Sequence, residues 1–278
     1  MHASARLQQL LQKYLDRFTN LAERYDGTTQ YSEELESVID DYSAFITDQN
    51  NQKAYEQLEE LTAVSSVALL AERLREVSAR CVALMEKYRA LKLLSGIGEQ
   101  TDYFKNIESC IETEFGGFQI TAQSKVLMIG SGSFPMTPLL IAKRTEAEVV
   151  GIDIDAEAVR LGRKILERLG GGLRIRLEKL FIEQLDMIKD ATHIIFSSTV
   201  ASKYALLAQL HPLTNDEVVV AMRFGDQLKS LFNYPREFVD EQKWRLKDII
   251  LHPDHVFDVA LYKKAQPAMQ GGERNERL

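Results

Sequence analysis

The chain has 278 residues with 34 basic and 41 acidic side chains, a net charge of -7, which argues against a general nucleic-acid binder because phosphate contacts need a basic face. Hydrophobic residues make up 45% and charged residues 27%, an ordinary balance for a globular protein, and no apolar run approaches the roughly 18 residues of a membrane span. The opening MHASARLQQLLQKY has no basic segment followed by an unbroken apolar one, so the expected location is the cytoplasm, with no membrane partner. Two cysteines, Cys81 and Cys110, cannot build a disulfide framework or, alone, a zinc site, and read as buried thiols.

All six prolines lie at or after Pro135, and the proline-free stretch before it permits uninterrupted helices. Leu7, Leu10, Leu11, Tyr14, Phe18, Leu21 and Tyr25 recur at helical spacing, as do Leu35, Val38, Ile39, Tyr42, Phe45 and Ile46. A longer run follows through Val67, Leu70, Leu74, Val77, Cys81, Leu84, Tyr88 and Leu91. Loops are expected at Gly27, at the polar DQNNQ of 48–52, and at Gly96 with Gly98. A fifth helix is expected from about Tyr103 to Phe115, stopped by Gly116-Gly117. Residues 1–120 thus read as a helical bundle.

After Gly117 short β-rich runs alternate with helices. The candidate strands are 125–130, 148–153, 173–178, 192–198, 217–224, 244–251 and 255–264. Continuous apolar strands separated by helices imply a parallel sheet covered on both faces. The last two are close in sequence and should pair antiparallel at the sheet edge. The expected domains are therefore the bundle at 1–120, an α/β Rossmann-like unit at 121–265, and a disordered tail at 266–278.

The loop Gly130-Ser131-Gly132 closes the first strand just before a helix, where glycines let the backbone turn and approach a ligand. Ligands of doubly wound sheets bind at the carboxyl ends of strands beside such turns. Asp153 ends the second strand, where a carboxylate can accept both ribose hydroxyl hydrogens. Ile154 and Asp155 follow, and Asp155 is also placed to cap the next helix. A dinucleotide fingerprint would want glycine or alanine where this loop carries Phe134-Pro135, which disfavours pyrophosphate docking. S-adenosylmethionine has no pyrophosphate, so the class I methyltransferase-like fold with this ligand is the reading. Pro135 and Met136 either shape that pocket or simply open the helix. Ser197, Ser198 and Thr199 end the fourth strand, placed either to contact the methionine moiety or acceptor or to cap the following helix. Arg223 ends the fifth, either facing a free amino acid's carboxylate or paired with Asp226 or Glu217. His2, His193, His211, His252 and His255 show no metal-ligand spacing, so no metal is expected.

The segments LMIGSGSFPMT, VVGIDID, THIIFSST, VVVAMRFGD, FNYP and FDVALYKKA resemble nicotianamine synthase-like enzymes of bacterial opine metallophore biosynthesis. Within that family the similarity is to histidine 2-aminobutanoyltransferases of the staphylopine and pseudopaline type. It extends through DDYSAFI (40–46), the Cys81–Leu94 helix and TDYFKNIESCIETEF (101–115). The resemblance implies transfer of the 2-aminobutanoate group of S-adenosylmethionine to the α-amino nitrogen of histidine, with the D-enantiomer favoured, releasing methylthioadenosine. A partner dehydrogenase would then condense the product with a keto acid. A conventional small-molecule N-methyltransferase is the alternative.

Such a transfer needs a group to take the proton of the attacking amine. Glu86 and Tyr103 are the catalytic candidates, since related synthases carry a glutamate and a tyrosine in comparable segments; Glu76 and Glu72 share the helix with Glu86, which could equally be a solvated position beside Arg89. Asp40, Asp41 and Tyr42 form a polar cluster that would hold the acceptor or, alternatively, an exposed acidic turn. The apolar stripes of the helical half make a homodimer plausible.

Overall fold

A computed structural model describes residues 2–61, 65–97, 114 and 118–265. The expected fifth helix, apart from Glu114, lies outside the described residues, and with it Tyr103 and Cys110; so does the tail from Gln266.

Four helices open the chain: α1 (His2–Glu23), α2 (Ser32–Thr47), α3 (Gln49–Leu61) and α4 (Ser65–Leu94). Their apolar stripes converge on one core in which Leu11, Phe18, Leu35, Tyr42, Leu74 and Cys81 are at most 1% exposed. Burial raises the Cys81 thiol to about 12, so it stays protonated and inert. The DQNNQ segment corrects the sequence expectation of a loop. Asp48 ends α2 and its Oδ1 accepts the N–H groups of Asn50 (2.8 Å) and Asn51 (3.0 Å), so α3 starts one residue later. The polar cluster is a helix's first turn.

The second half is a seven-stranded sheet in the order β3-β2-β1-β4-β5-β7-β6. Its strands are β1 (Lys125–Ile129), β2 (Glu148–Ile152), β3 (Ile175–Glu178), β4 (His193–Phe196), β5 (Val219–Phe224), β6 (Trp244–Ile250) and β7 (Asp258–Lys264). The first five are parallel, and β6 and β7 form the expected antiparallel pair, with β7 inserted beside β5. Helices α5 (Met136–Thr145), α6 (Ala156–Leu169) and α7 (Lys203–Leu213) cover the sheet. Burial on both faces accounts for the unbroken apolar runs: all of β4 and β5 is buried.

The helical core is continued by Leu228, Leu231 and Phe232 from the segment after β5. Within it, the fully buried Tyr42 donates its hydroxyl to the carbonyl of Leu231 at 2.9 Å. Helix α4 also packs on α6, where Lys87 Nζ lies 2.6 Å from Asp155 and 2.8 Å from Glu157. The bundle therefore sits across the carboxyl ends of the strands. The order reverses between β1 and β4, which is where such folds hold ligands.

Candidate active site

At that reversal lies a cavity of about 550 Å³. Its walls come from the loop after β1, the ends of β4 and β5, helix α4 through Val82 and Glu86, and the turn between β6 and β7.

The loop after β1 folds back on the second strand: Gly130 and Ser131 both donate their N–H to the carbonyl of Ile152, at 2.9 and 3.0 Å. Gly130 (φ 80°) and Gly132 (φ 65°) occupy left-handed backbone that other residues rarely adopt. Crowding adds a second reason. A Cβ on Gly130 would come within 2.7 Å of Val200, and one on Gly132 would fall on the Glu86 carboxylate. Ser131 faces the cavity with its Oγ buried and without a hydrogen-bond partner among the described residues. The loop's N–H groups are spent on Ile152, Asp153 and Glu86, and the unpartnered Ser131 hydroxyl is the group that it turns to a ligand in the cavity.

Asp153 supports the same loop. Its Oδ2 accepts Gly132 N–H at 2.9 Å and its Oδ1 accepts Asp155 N–H at 3.0 Å. Beside it Ile154 is 80% exposed, an apolar surface left open at the end of β2. Asp155 takes the helix-capping place that its position suggested. Its carboxylate caps α6 through Glu157 and Ala158 N–H and grips Lys87, so it holds the bundle to the sheet. Pro135 is buried immediately before α5, and Met136, the first residue of that helix, lines the cavity.

Glu86 comes from α4 and faces this loop rather than solvent. Its Oε2 accepts the N–H of Ser133 at 3.1 Å. Burial pushes its carboxyl up to about 8; the Ser133 N–H works against that rise and the nearby Asp153 adds to it. A carboxyl titrating near neutrality against a cavity is suited to exchange protons with a bound amine.

Ser197, Ser198 and Thr199 line the opposite wall, with Ser197 Oγ 3.1 Å from Thr199 Oγ1. Arg223 reaches the cavity too, but its partner is neither Asp226 nor Glu217. Its Nε and Nη2 bind Glu114 at 2.6 and 2.8 Å, and Nη2 also reaches Thr137 Oγ1 at 3.2 Å. Asp226 instead pairs with Arg236, and Glu217 with Lys263. The guanidinium is thus already matched by a fully buried carboxylate, and a ligand would meet a neutralised pair. Asp41 and Tyr42 also lie elsewhere. Asp41 is an exposed helix position near Arg17, and Tyr42 is locked in the helical core.

Several cavity residues were not singled out in the sequence. Asn233, Asp254, His255 and Phe257 line the wall; Asn233 Nδ2 donates to Val256 O at 2.6 Å, and the Phe257 ring lies 5.1 Å from the Arg223 guanidinium. The FNYP match contains Asn233 and the FDVALYKKA match begins at Phe257, while His255 was weighed only as a metal ligand. Glu114 sits in a segment noted as a helix and for its resemblance, with no role given to this residue. Lys203 offered one weak signal, a cation at the first position of a helix, where the dipole disfavours it. Among the described residues no cluster of histidine, cysteine and carboxylates is arranged to hold a metal.

No protein-family model matches the chain. The L-histidine 2-aminobutanoyltransferase of Pseudomonas aeruginosa is 31% identical over 197 residues, which is 70% of this chain and 74% of that protein. The chain belongs to the histidine 2-aminobutanoyltransferase family. A second aminobutanoyltransferase, from Yersinia pestis and also named for L-histidine, is 32% identical over 196 residues, 66% of this chain and 72% of its own. The fold of this transferase is that of nicotianamine synthase. MtNAS in complex with MTA and tNA superposes with a TM-score of 0.74 at 13% identity, over 93% of this chain and 98% of that one. A variant of MtNAS in complex with S-adenosylmethionine gives 0.68 at 15% identity, over 91% and 98%. The transferase therefore combines a methyltransferase-like sheet with a helical half that closes over it.

Proposed function

We propose that the protein transfers the 2-aminobutanoate group of S-adenosylmethionine to the α-amino nitrogen of histidine and releases methylthioadenosine. Three carbons on the sulfonium sulfur are electrophilic, so what distinguishes this reaction from methyl transfer is which carbon the cavity presents. The observation that carries the reading is Glu86, a carboxylate supplied by the helical half and aimed at the glycine loop. An N-methyltransferase would use the same base, so the choice between the two reactions is supported by the relatives, which are named for aminobutanoyl transfer.

The residues divide the work. Gly130, Ser131 and Gly132 offer close backbone approach and the unpartnered Ser131 Oγ. Asp153 has a carboxylate at the ribose position, and Ile154 an apolar surface for the adenine. Glu86 takes the proton as the amine nitrogen forms its bond to the methylene carbon and the carbon–sulfur bond breaks. Ser197 faces the aminobutanoate chain of S-adenosylmethionine, and Ser198, Asn233 and the Arg223–Glu114 pair face the incoming amino acid. Holding nucleophile and electrophile in line is worth roughly 7–11 kcal/mol of barrier in well-oriented systems.

The relatives' names favour L-histidine as acceptor over the D-histidine expected from the sequence resemblance. The product keeps the primary amine of the transferred group, which forms an imine with a keto acid that a nicotinamide-dependent dehydrogenase would reduce. Dimerisation through the helical half and a cytoplasmic location complete the reading; no helix among the described residues is long and apolar enough to cross a membrane. Incubation with S-adenosylmethionine and each histidine enantiomer tests it. Methylthioadenosine with an aminobutanoyl-histidine is the expected pair, and S-adenosylhomocysteine with a methylated acceptor would replace this reading by the methyltransferase one.

A further inference from the structure

Lys203 opens α7 and is fully buried. Its Nζ donates to three main-chain carbonyls: Arg223 at 2.8 Å, Tyr234 at 2.8 Å and Ser198 at 3.3 Å. These belong to three separate segments, the end of β5, the loop after the turn at Gln227–Leu231, and the loop after β4. Each adjoins the cavity, because Ser198, Arg223 and Asn233 all line it.

A buried ammonium is costly unless all its protons are bonded. Here three acceptors match three donors, and no carboxylate forms an ion pair with Lys203 among the described residues. Burial pulls its pKa down to about 7, a measure of that cost. A leucine or methionine would fill the same space without it. What those residues would not do is hold three chain segments at fixed distances around one point.

The two halves of the cavity are held by different contacts. The glycine-loop half is fixed by Ile152 O, the Asp153 carboxylate and Glu86. The half formed by Ser198, Arg223 and Asn233 converges on Lys203.

We propose that Lys203 is a positioning residue for the acceptor half of the cavity, fixing through three carbonyls the backbone that carries Ser198, Arg223 and Asn233. The inference rests on the functional reading above, since it assigns that half to the incoming amino acid. It touches no substrate, so its effect is confined to how well the wall is aligned.

The test uses the full chain with Lys203→Met, measuring S-adenosylmethionine affinity at equilibrium and the kinetics of methylthioadenosine release against histidine concentration. Misaligning one wall should raise KM for histidine roughly tenfold or more while the S-adenosylmethionine Kd stays within about twofold of wild type. An unchanged KM, or equal losses in both ligands, overturns the inference. If Lys203→Met does not fold, Lys203→Gln is read by the same two criteria, because its shorter amide cannot reach all three carbonyls. A wild-type protein that releases no methylthioadenosine fails the functional reading itself; a wild type that turns over, with a variant of unchanged KM, fails this inference alone.

Discussion

The Glu86 carboxylate on α4 accepts the N–H of Ser133 in the glycine loop at 3.1 Å, joining the helical half to the ligand-binding edge of the sheet. The two residues are 47 apart in sequence. This contact makes the bundle part of the site, and it places a carboxyl raised to about 8 where an amine would have to lose its proton.

Glu86→Gln keeps the shape and an acceptor for Ser133 but cannot take a proton. S-adenosylmethionine affinity should be unchanged while kcat falls about 10²–10⁴-fold, the usual contribution of a positioned base. Binding titration alongside steady-state release of methylthioadenosine checks this; unaltered turnover removes Glu86 from the chemistry.

The same carboxyl sets a pH dependence. A base works when deprotonated, so wild-type kcat should rise with pH through about 8, and that limb should be missing in Glu86→Gln.

Stability carries the opposite sign. In the unfolded chain Glu86 ionises near about 4.3, and in the folded chain near 8. The folded state therefore binds the proton more tightly, an advantage present in acid and lost as pH rises through the folded value. Thermal melts should show Glu86→Gln gaining on wild type between about pH 4 and 8. A constant difference across that range would contradict the assignment.

Asp153→Ala removes acceptors for two backbone N–H groups as well as the ribose-facing carboxylate. The S-adenosylmethionine Kd should rise roughly 100-fold, the scale of one or two charge-assisted hydrogen bonds. Calorimetric titration decides, and a Kd near wild type would move the ligand away from the end of β2.

Gly132→Ala should damage both functions together. The new Cβ meets the Glu86 carboxylate, and the backbone at φ 65° resists the side chain. Ligand affinity and kcat should each fall by at least about tenfold; an active variant would show that the loop and Glu86 separate during turnover.

The central strands were legible because burial on both faces leaves continuous apolar runs, and the glycine loop and Asp153 because strand, turn and acid fall at fixed offsets. The DQNNQ segment misled because a polar run bounded by periodic helices looks like a loop, and only the Asp48 cap shows otherwise. Helical spacing identified Tyr42 as apolar-periodic, yet its neighbour Asp41 points outward, so the pair could not form one pocket. Arg223 was found at the right strand end, but its partner Glu114 lies 109 residues away and no spacing rule connects them. The turn that brings Asp254, His255 and Phe257 to the cavity depends on β7 lying beside β5, a pairing that sequence order conceals.

The central claim is that the cavity presents the aminobutanoate methylene, not the methyl group, to a neutral amine. Two preparations of S-adenosylmethionine, one labelled with carbon-13 in the aminobutanoate chain and one in the methyl group, test it with histidine as acceptor. The account predicts label in the histidine product only from the chain-labelled preparation, with the methyl label retained in methylthioadenosine. Label reaching histidine from the methyl group would contradict it.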